Sequence, residues 1–436
     1  MIPLDNEVFC MAPWCHLNVS PNGDIRPCCS VPISNQEKYE PLSLDELANS
    51  IQENYIFENF LGSLEKTSLK EVWNNDTMKE LRRNMINGQK SQFCSGCYKV
   101  EENSRTLFNK YSLRQSMNSA LSHHYKYVKE TKEDGTFEKF NLVSWNFELS
   151  NVCNFKCRSC APDLSSSWEQ ELRKNFKIKG QCPKIDIEKF YQEIEPLYEI
   201  VEEIYFAGGE PLICDYQYEI LTKLIEKNKT NVLLMYNTNF SILEHKGMNI
   251  LDLWEKFNNI SIHVSLDGTG KRGELIRKGF DYQKFLYNIK LFKERFPQHN
   301  VKINYVFQAL NCFHTIDVHK ELYEKKIITN LDDFNMPILY HPDILSVSIL
   351  DFESKKRLRE KIKHHILTYL QPLKAKRSMH KYMVILKSLS TDQKDHLIPY
   401  FHKYMTELDT MRNENYLEIF PEFIEIFEKW KTSGYI

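Results

Sequence analysis

Several familiar signals are missing from this 436-residue sequence. Residues 1–7 have neither the basic start nor the apolar core of an export signal. No apolar stretch reaches the roughly 20 residues needed to span a bilayer, so no membrane partner is expected. Charge of one sign is absent too: 57 Lys and Arg face 59 Asp and Glu, a formal net charge of −2. A dedicated nucleic-acid binder would carry a strong basic excess, and the run Lys374-Ala375-Lys376-Arg377 reads as a solvated face. There is no internal repeat and no low-complexity tract. The chain does hold 12 cysteines, which secretion would oxidise and scramble, so a reducing, cytoplasmic setting is expected.

Those cysteines fall into sets. Cys153, Cys157 and Cys160 form a C-x3-C-x2-C run between a strand-like stretch over 142–149 and a helical stretch over 164–176. Three soft ligands on one short loop suit an iron-sulfur cluster with an open metal position better than a closed zinc site, which takes four protein ligands. After a helical stretch over 187–201, the strand at 203–207 runs into Gly208-Gly209-Glu210-Pro211. Glycines there allow the backbone to approach a ligand closely, and Glu210 can accept from an ammonium group. Further strand-like runs at 232–235, 260–266, 301–310 and 337–340 each end in polar residues. This rhythm predicts a parallel α/β barrel with its site at the carboxyl ends of the strands.

The second set lies in the first hundred residues: Cys10, Cys15, the pair Cys28-Cys29, and Cys94-Ser95-Gly96-Cys97. The Asn22-Gly23 turn between apolar runs is a hairpin signal that folds Cys10 or Cys15 back toward Cys28. Cysteines converging from opposite ends of a small domain make a four-ligand metal site, and on the residues alone zinc and iron-sulfur are equal contenders. Cys182, Cys214 and Cys312 stand singly and read as small buried hydrophobes. Cys312, at a strand end, is also a candidate hydrogen-atom or proton donor.

The C-x3-C-x2-C run followed by Gly-Gly-Glu resembles the radical S-adenosylmethionine (radical SAM) superfamily. The resemblance implies that Cys153, Cys157 and Cys160 ligate a [4Fe-4S] cluster whose open iron takes S-adenosylmethionine, contacted by Gly208, Gly209, Glu210, Asn239, Ser265 and Arg277. Ser159 departs from the aromatic residue that many members carry before the third cysteine. The pattern of Cys10, Gly23, Cys28, residues 69–74, Cys94 and Cys97 resembles the twitch and SPASM type of auxiliary iron-sulfur domain, although such domains usually follow the barrel. It implies Cys10, Cys28, Cys94 and Cys97 as ligands of a second cluster, with Cys15 and Cys29 as substitutes.

The expected architecture is α/β, a partial (β/α)6 TIM-like barrel with a small amino-terminal cysteine-rich cluster domain and a helical carboxyl-terminal tail. The expected divisions are 1–105 for the auxiliary domain, 106–140 for a helical linker, 141–350 for the barrel and 351–436 for the tail, which packs on or caps the barrel. The implied activity is reductive cleavage of S-adenosylmethionine to a 5′-deoxyadenosyl radical, fed by a flavodoxin- or ferredoxin-type electron donor. That radical then removes a hydrogen atom from an unactivated carbon of a peptide or protein. The alternatives are the same chemistry on a sugar, nucleoside or other small metabolite, and a non-catalytic metal-stabilised binding or electron-transfer protein.

Overall fold

Alternation along the strands decides the layers of this fold. In Asn259–Ser265, Ile260, Ile262 and Val264 are buried while Ser261, His263 and Ser265 are only partly so. Leu233–Thr238 and Val301–Asn304 repeat that alternation, as a two-residue period requires. The apolar positions pack outward on helices, and the polar ones face the barrel interior. The computed structural model describes residues 6–31, 43–47, 61–104, 112–176, 185–339 and 341–436.

The strands in chain order are β1 His16–Val19, β2 Asp24–Arg26, β3 Gly62–Ser63, β4 Ser144–Phe147, β5 Lys156–Cys157, β6 Glu203–Phe206, β7 Leu233–Thr238, β8 Glu244–His245, β9 Met248–Asn249, β10 Asn259–Ser265, β11 Arg277–Lys278, β12 Val301–Asn304 and β13 Phe334–Asn335. Nine of them form one sheet in the order β13-β12-β10-β7-β6-β4-β1-β2-β3. From β13 to β4 every pairing is parallel, with helices between the strands. This is the partial TIM-type barrel that the alternating pattern predicts, and helices Phe352–His365, Lys376–Ser388, Ile398–Arg412 and Glu422–Thr432 follow it.

Three differences from the sequence expectation have physical causes. The strand expected over 301–310 stops at Asn304, because Asp267 Oδ1 accepts Val306 N at 3.0 Å and the Asn311 amide caps Asp267 O and Val306 O. The last strand begins earlier than 337, at Phe334, and beyond it only an isolated Phe307–Ile338 bridge remains; Tyr340 lies outside the described residues, as does Cys182. The expected hairpin forms between β1 and β2, with Gly23 at φ +87° in its turn. Unforeseen was that β1 also pairs in parallel with β4, His16 beside Ser144 through Val19 beside Phe147. The cysteine-rich amino-terminal segment therefore extends the barrel sheet.

Trp254 shows how the outer layer is packed: its ring lies 4.9 Å from Tyr236, 6.1 Å from Phe292 and 6.5 Å from Phe296, fully buried. Trp254→Ala removes a large side chain from a site with no room to collapse and is expected to cost about 3–5 kcal/mol. A calorimetric midpoint that stays within about 1 °C of wild type would contradict this packing account.

Candidate active site

The C-x3-C-x2-C run forms a loop at the carboxyl end of β4, fastened at each cysteine. Cys153 N donates to Ser166 Oγ at 3.2 Å, and Cys153 O accepts from Ser167 Oγ at 2.6 Å. Cys157 lies in β5, paired with Arg277 of β11. Cys160 O accepts from the buried Trp168 indole at 3.0 Å. The three thiols lie within electrostatic reach of one another and of Arg277, and Cys153 also of Glu210.

The Gly208-Gly209-Glu210 turn rests directly on this loop. Gly209 N donates to Ser150 O at 3.3 Å and Glu210 N to Val152 O at 2.8 Å. A Cβ on Gly209 would fall 2.3 Å from Val152 O, so no larger residue fits without moving the loop. Glu210 is 1% exposed. Its Oε1 accepts from Leu212 N at 3.0 Å and Thr238 Oγ1 at 2.5 Å, its Oε2 from Asn239 N at 2.6 Å. A carboxylate offers about four acceptor positions, so one remains for a ligand. Burial raises the Glu210 pKa, against those hydrogen bonds.

Among the other sequence candidates, Asn239 bonds the cysteine loop through Asn154 Oδ1 at 2.9 Å. Arg277 is held by Asp267 Oδ2 at 2.9 Å, and its Nε is buried without a partner. Burial alone would depress the Arg277 pKa, but Cys157 and Asp267 more than reverse this. Ser265 is farther along the sheet, bonded to Asn237 Oδ1 at 3.3 Å. Cys312 is buried with its thiol directed to Ala309 O at 3.2 Å, and Cys214 lies behind the turn, donating to Glu210 O at 3.2 Å.

In the amino-terminal set, Cys28 lies within electrostatic reach of Cys10, Cys94 and Cys97. Cys15 is instead directed to Asn141, whose Nδ2 donates to its sulfur at 3.7 Å. Cys29 is exposed and faces Glu148 and Cys97. The interval between the two cysteine sets carries groups that the sequence reading did not single out. Glu148, just past β4, has its carboxyl raised to about 7 by burial, with Arg26 opposing the shift; Tyr205 faces both Cys29 and Glu148. Asp163, next to the cysteine loop, faces Arg26. Extending the strand-end rule to β4 would have found Glu148.

The carboxyl-terminal helix Ile398–Arg412 backs the cysteine loop. Arg158, one residue after Cys157 and 0% exposed, donates to Asp409 Oδ1 at 2.5 Å and Glu414 Oε2 at 2.8 Å. Tyr404 donates to Arg158 O at 2.7 Å. Arg412 pairs with Glu171 at 2.8 Å while covering the Trp168 ring at 4.6 Å. Nothing local in the sequence signals these contacts, which join segments far apart in the chain.

The donor chemistry fits metal in both sets. All the described cysteines are free thiols, and burial pushes Cys10 and Cys153 up to about 12 and Cys94 up to about 11. Neighbouring thiols push Cys10, Cys28, Cys94, Cys153 and Cys160 in the same direction. Such groups stay protonated until a metal displaces the protons, so loading is favoured as pH rises.

A parallel barrel with this cysteine loop against a glycine-glycine-glutamate turn defines an iron-sulfur, S-adenosylmethionine-binding class. Residues 147–308 match the radical SAM superfamily, and residues 10–98 match the SPASM family, an iron-sulfur cluster-binding domain. Residues 147–308 are therefore a radical SAM domain, a superfamily whose members are enzymes, and the SPASM domain lies amino-terminal to it. A radical SAM domain holds a [4Fe-4S] cluster and S-adenosylmethionine, and a SPASM domain an auxiliary iron-sulfur cluster.

GTP 3′,8-cyclase of Campylobacter curvus (strain 525.92) is 29% identical over 115 residues, 26% of this chain and 32% of that protein. The chain thus spans about a third of that relative's length. Among solved structures, SuiB of Streptococcus suis bound to S-adenosylmethionine is 17% identical with a TM-score of 0.37, over 66% of this chain and 63% of that one. Native anSMEcpe with bound AdoMet is 20% identical with a TM-score of 0.33, over 45% of this chain and 50% of that one. No helix among the described residues is long and apolar enough to cross a membrane.

Two outcomes follow from this geometry. Gly209→Ala is expected to displace the cysteine loop and cut reconstituted iron to about half, sparing the amino-terminal set; full iron in this variant would show that the contact is not needed. Arg158→Ala leaves two partly buried carboxylates without their shared partner and is expected to cost about 3–5 kcal/mol. Because Glu414 keeps Lys278 at 2.7 Å, most of that loss falls on Asp409, and adding Asp409→Asn should recover part of the thermal midpoint.

Proposed function

We propose that this chain reductively cleaves S-adenosylmethionine and uses the radical to modify a peptide or protein. The observation that carries this reading is the seating of Gly208-Gly209-Glu210 on the cysteine loop, with Arg277 paired to Cys157 from the other side. Cys153, Cys157 and Cys160 would hold the barrel cluster, and Cys10, Cys28, Cys94 and Cys97 the auxiliary one. When bound, the barrel cluster and its cofactor supply a 5′-deoxyadenosyl radical able to take a hydrogen atom from an unactivated carbon.

The chain's own residues bind, orient and exclude water. Glu210 offers its remaining acceptor position to the cofactor ammonium, and Arg277, held by Asp267, presents its guanidinium to the cofactor carboxylate. Asn239 ties the end of β7 to the cysteine loop. Arg158 and the carboxyl-terminal helix close the loop's back from water. Glu148, poised near neutrality by burial, can hold or release a proton in the interval between the two cysteine sets.

The peptide reading is supported by the auxiliary domain, since members carrying one often act on peptides or proteins. A small polar metabolite such as a sugar or nucleoside is the second reading, favoured by the polar interior of Asn237, His263, Ser265 and Asn304. A flavodoxin- or ferredoxin-type protein would deliver the electron. The proposed divisions remain 1–105, 106–140, 141–350 and 351–436.

Anaerobic reconstitution tests this reading. The expected result is about eight irons per chain and 5′-deoxyadenosine on addition of reductant and S-adenosylmethionine. Cys157→Ala should keep about four irons and make no 5′-deoxyadenosine; undiminished product would overturn the assignment. About four irons with a sulfur-coordinated zinc would leave the barrel catalytic and make the amino-terminal set structural.

A further inference from the structure

A cluster of two histidines and a carboxylate lies at the opposite rim of the barrel from the Cys153-Cys157-Cys160 loop, and of the amino-terminal cysteines Cys15 comes within electrostatic reach of it. Glu202 immediately precedes β6, at the amino-terminal ends of the strands. Its backbone is pinned on both sides: Glu202 N donates to Val143 O beside β4, and Glu202 O accepts from Leu233 N of β7, both at 2.8 Å. Over this rim lies the 3-10 segment Ser122–Glu130, which brings two consecutive histidines to the same carboxylate. His123 Nε2 is 2.8 Å from Glu202 Oε2, and His124 Nε2 is 3.1 Å from both Oε1 and Oε2. One donor atom from each of the three residues lies within 4.8 Å of the other two. The imidazole centroids are 4.1 Å apart and the rings are inclined at 42°.

We infer that His123, His124 and Glu202 form a binding site for a divalent transition metal of the zinc class, distinct from the sites of Cys153, Cys157 and Cys160 and of Cys10, Cys28, Cys94 and Cys97. Two imidazoles and one carboxylate are a zinc-type donor set that leaves the fourth position open to water. Imidazole suits zinc, nickel and copper, whereas magnesium and calcium require oxygen ligands. The spacing from each histidine to the carboxylate is close to that of a loaded site. Ligands about 2.0–2.1 Å from one ion at the tetrahedral angle lie roughly 3.3 Å apart, and the contacts here are 2.8 and 3.1 Å.

The surroundings favour a ligand role over an ion pair. The His124 side chain is 7% exposed, so its ring is held in place beside Glu202 by the surrounding protein. His123 and Glu202 are 56% and 41% exposed, which gives an ion an open approach. The bland alternative, an exposed hydrogen-bonded clamp, would contribute little. A bound metal would instead staple the segment that follows the amino-terminal cysteines to the rim of the barrel.

The test uses the holoenzyme with its clusters loaded, equilibrated with zinc and then desalted. The expected result is about one zinc per chain in a nitrogen and oxygen shell at about 2.0–2.1 Å by X-ray absorption, rather than a sulfur shell at about 2.3 Å. His123→Ala changes an exposed side chain and should leave iron content and the metal-free unfolding temperature unchanged. Both it and Glu202→Gln should weaken zinc binding by tenfold or more and remove the rise in unfolding temperature that zinc gives wild type. A sulfur shell alone, equal retention of zinc by wild type and both variants, or no retention by wild type at micromolar free zinc would overturn the inference.

Discussion

One close backbone approach organises the catalytic half of this molecule: the Gly208-Gly209 turn against residues 150–152. There the end of β6 and the loop after β4 exchange main-chain hydrogen bonds without any side chain between them. A Cβ at Gly209 would overlap Val152 O and approach the Asn151 carbonyl carbon at 2.7 Å, so the contact exists only because that residue is glycine. From this contact Glu210 is aimed inward, and its carboxylate draws in Thr238 and Asn239 at the end of β7. Three strand ends are thereby fixed relative to the cysteine loop by hydrogen bonds that a shift of about 1 Å would break. Binding geometry set by main-chain contact is stiffer than geometry set by long side chains, because fewer rotatable bonds intervene.

The other side of the loop is held by charge. A fully buried guanidinium is costly unless its donors are met, and Arg158 meets them with two carboxylates, the Met405 sulfur and Leu275 O. The cost of burying the charge and the gain from pairing it are both large, so what the arrangement secures is position: Arg158 fits only where Asp409 and Glu414 converge. Glu171 does the same for the helix after the loop, pairing at once with Lys156 at 2.9 Å and Arg412 at 2.8 Å. The tail is thus a wall of the site, and it is joined to the cysteine loop more firmly than to open solvent.

How much of this could be read from the sequence depended on the range of each interaction. The strands β7 and β10 were legible because each begins in a local apolar or β-branched run, although the run at 232–235 reached only the first half of Leu233–Thr238, and the cysteine loop and glycine turn because each is a short motif with fixed spacing. The strand after Val301 was overextended because the residues that end it, Asp267 and Asn311, act through side chains brought in from elsewhere. The β1–β4 pairing was invisible because its partners are 128 residues apart and β1 spans four residues buried on both faces. The same limit hid Asp409 and Glu414. Glu148 was hidden differently, since one carboxylate at a strand end has no pattern until the fold shows what surrounds it.

That β1–β4 pairing also bears on the unusual order of the two cysteine-rich parts. A parallel strand added to the edge of β4 puts its carboxyl end level with the carboxyl end of β4, so the hairpin that follows turns back beside the cysteine loop. β2 then carries Arg26 and the Cys28-Cys29 pair toward Glu148 and Asp163. The relation between the two cysteine sets is therefore set by strand register. Register in a buried sheet is strongly specified, because a one-residue slip would turn every side chain to the other face. A segment docked by its own edge strand needs no particular place in the chain, provided the connection is long enough to reach, and here 117 residues separate the end of β2 from the start of β4.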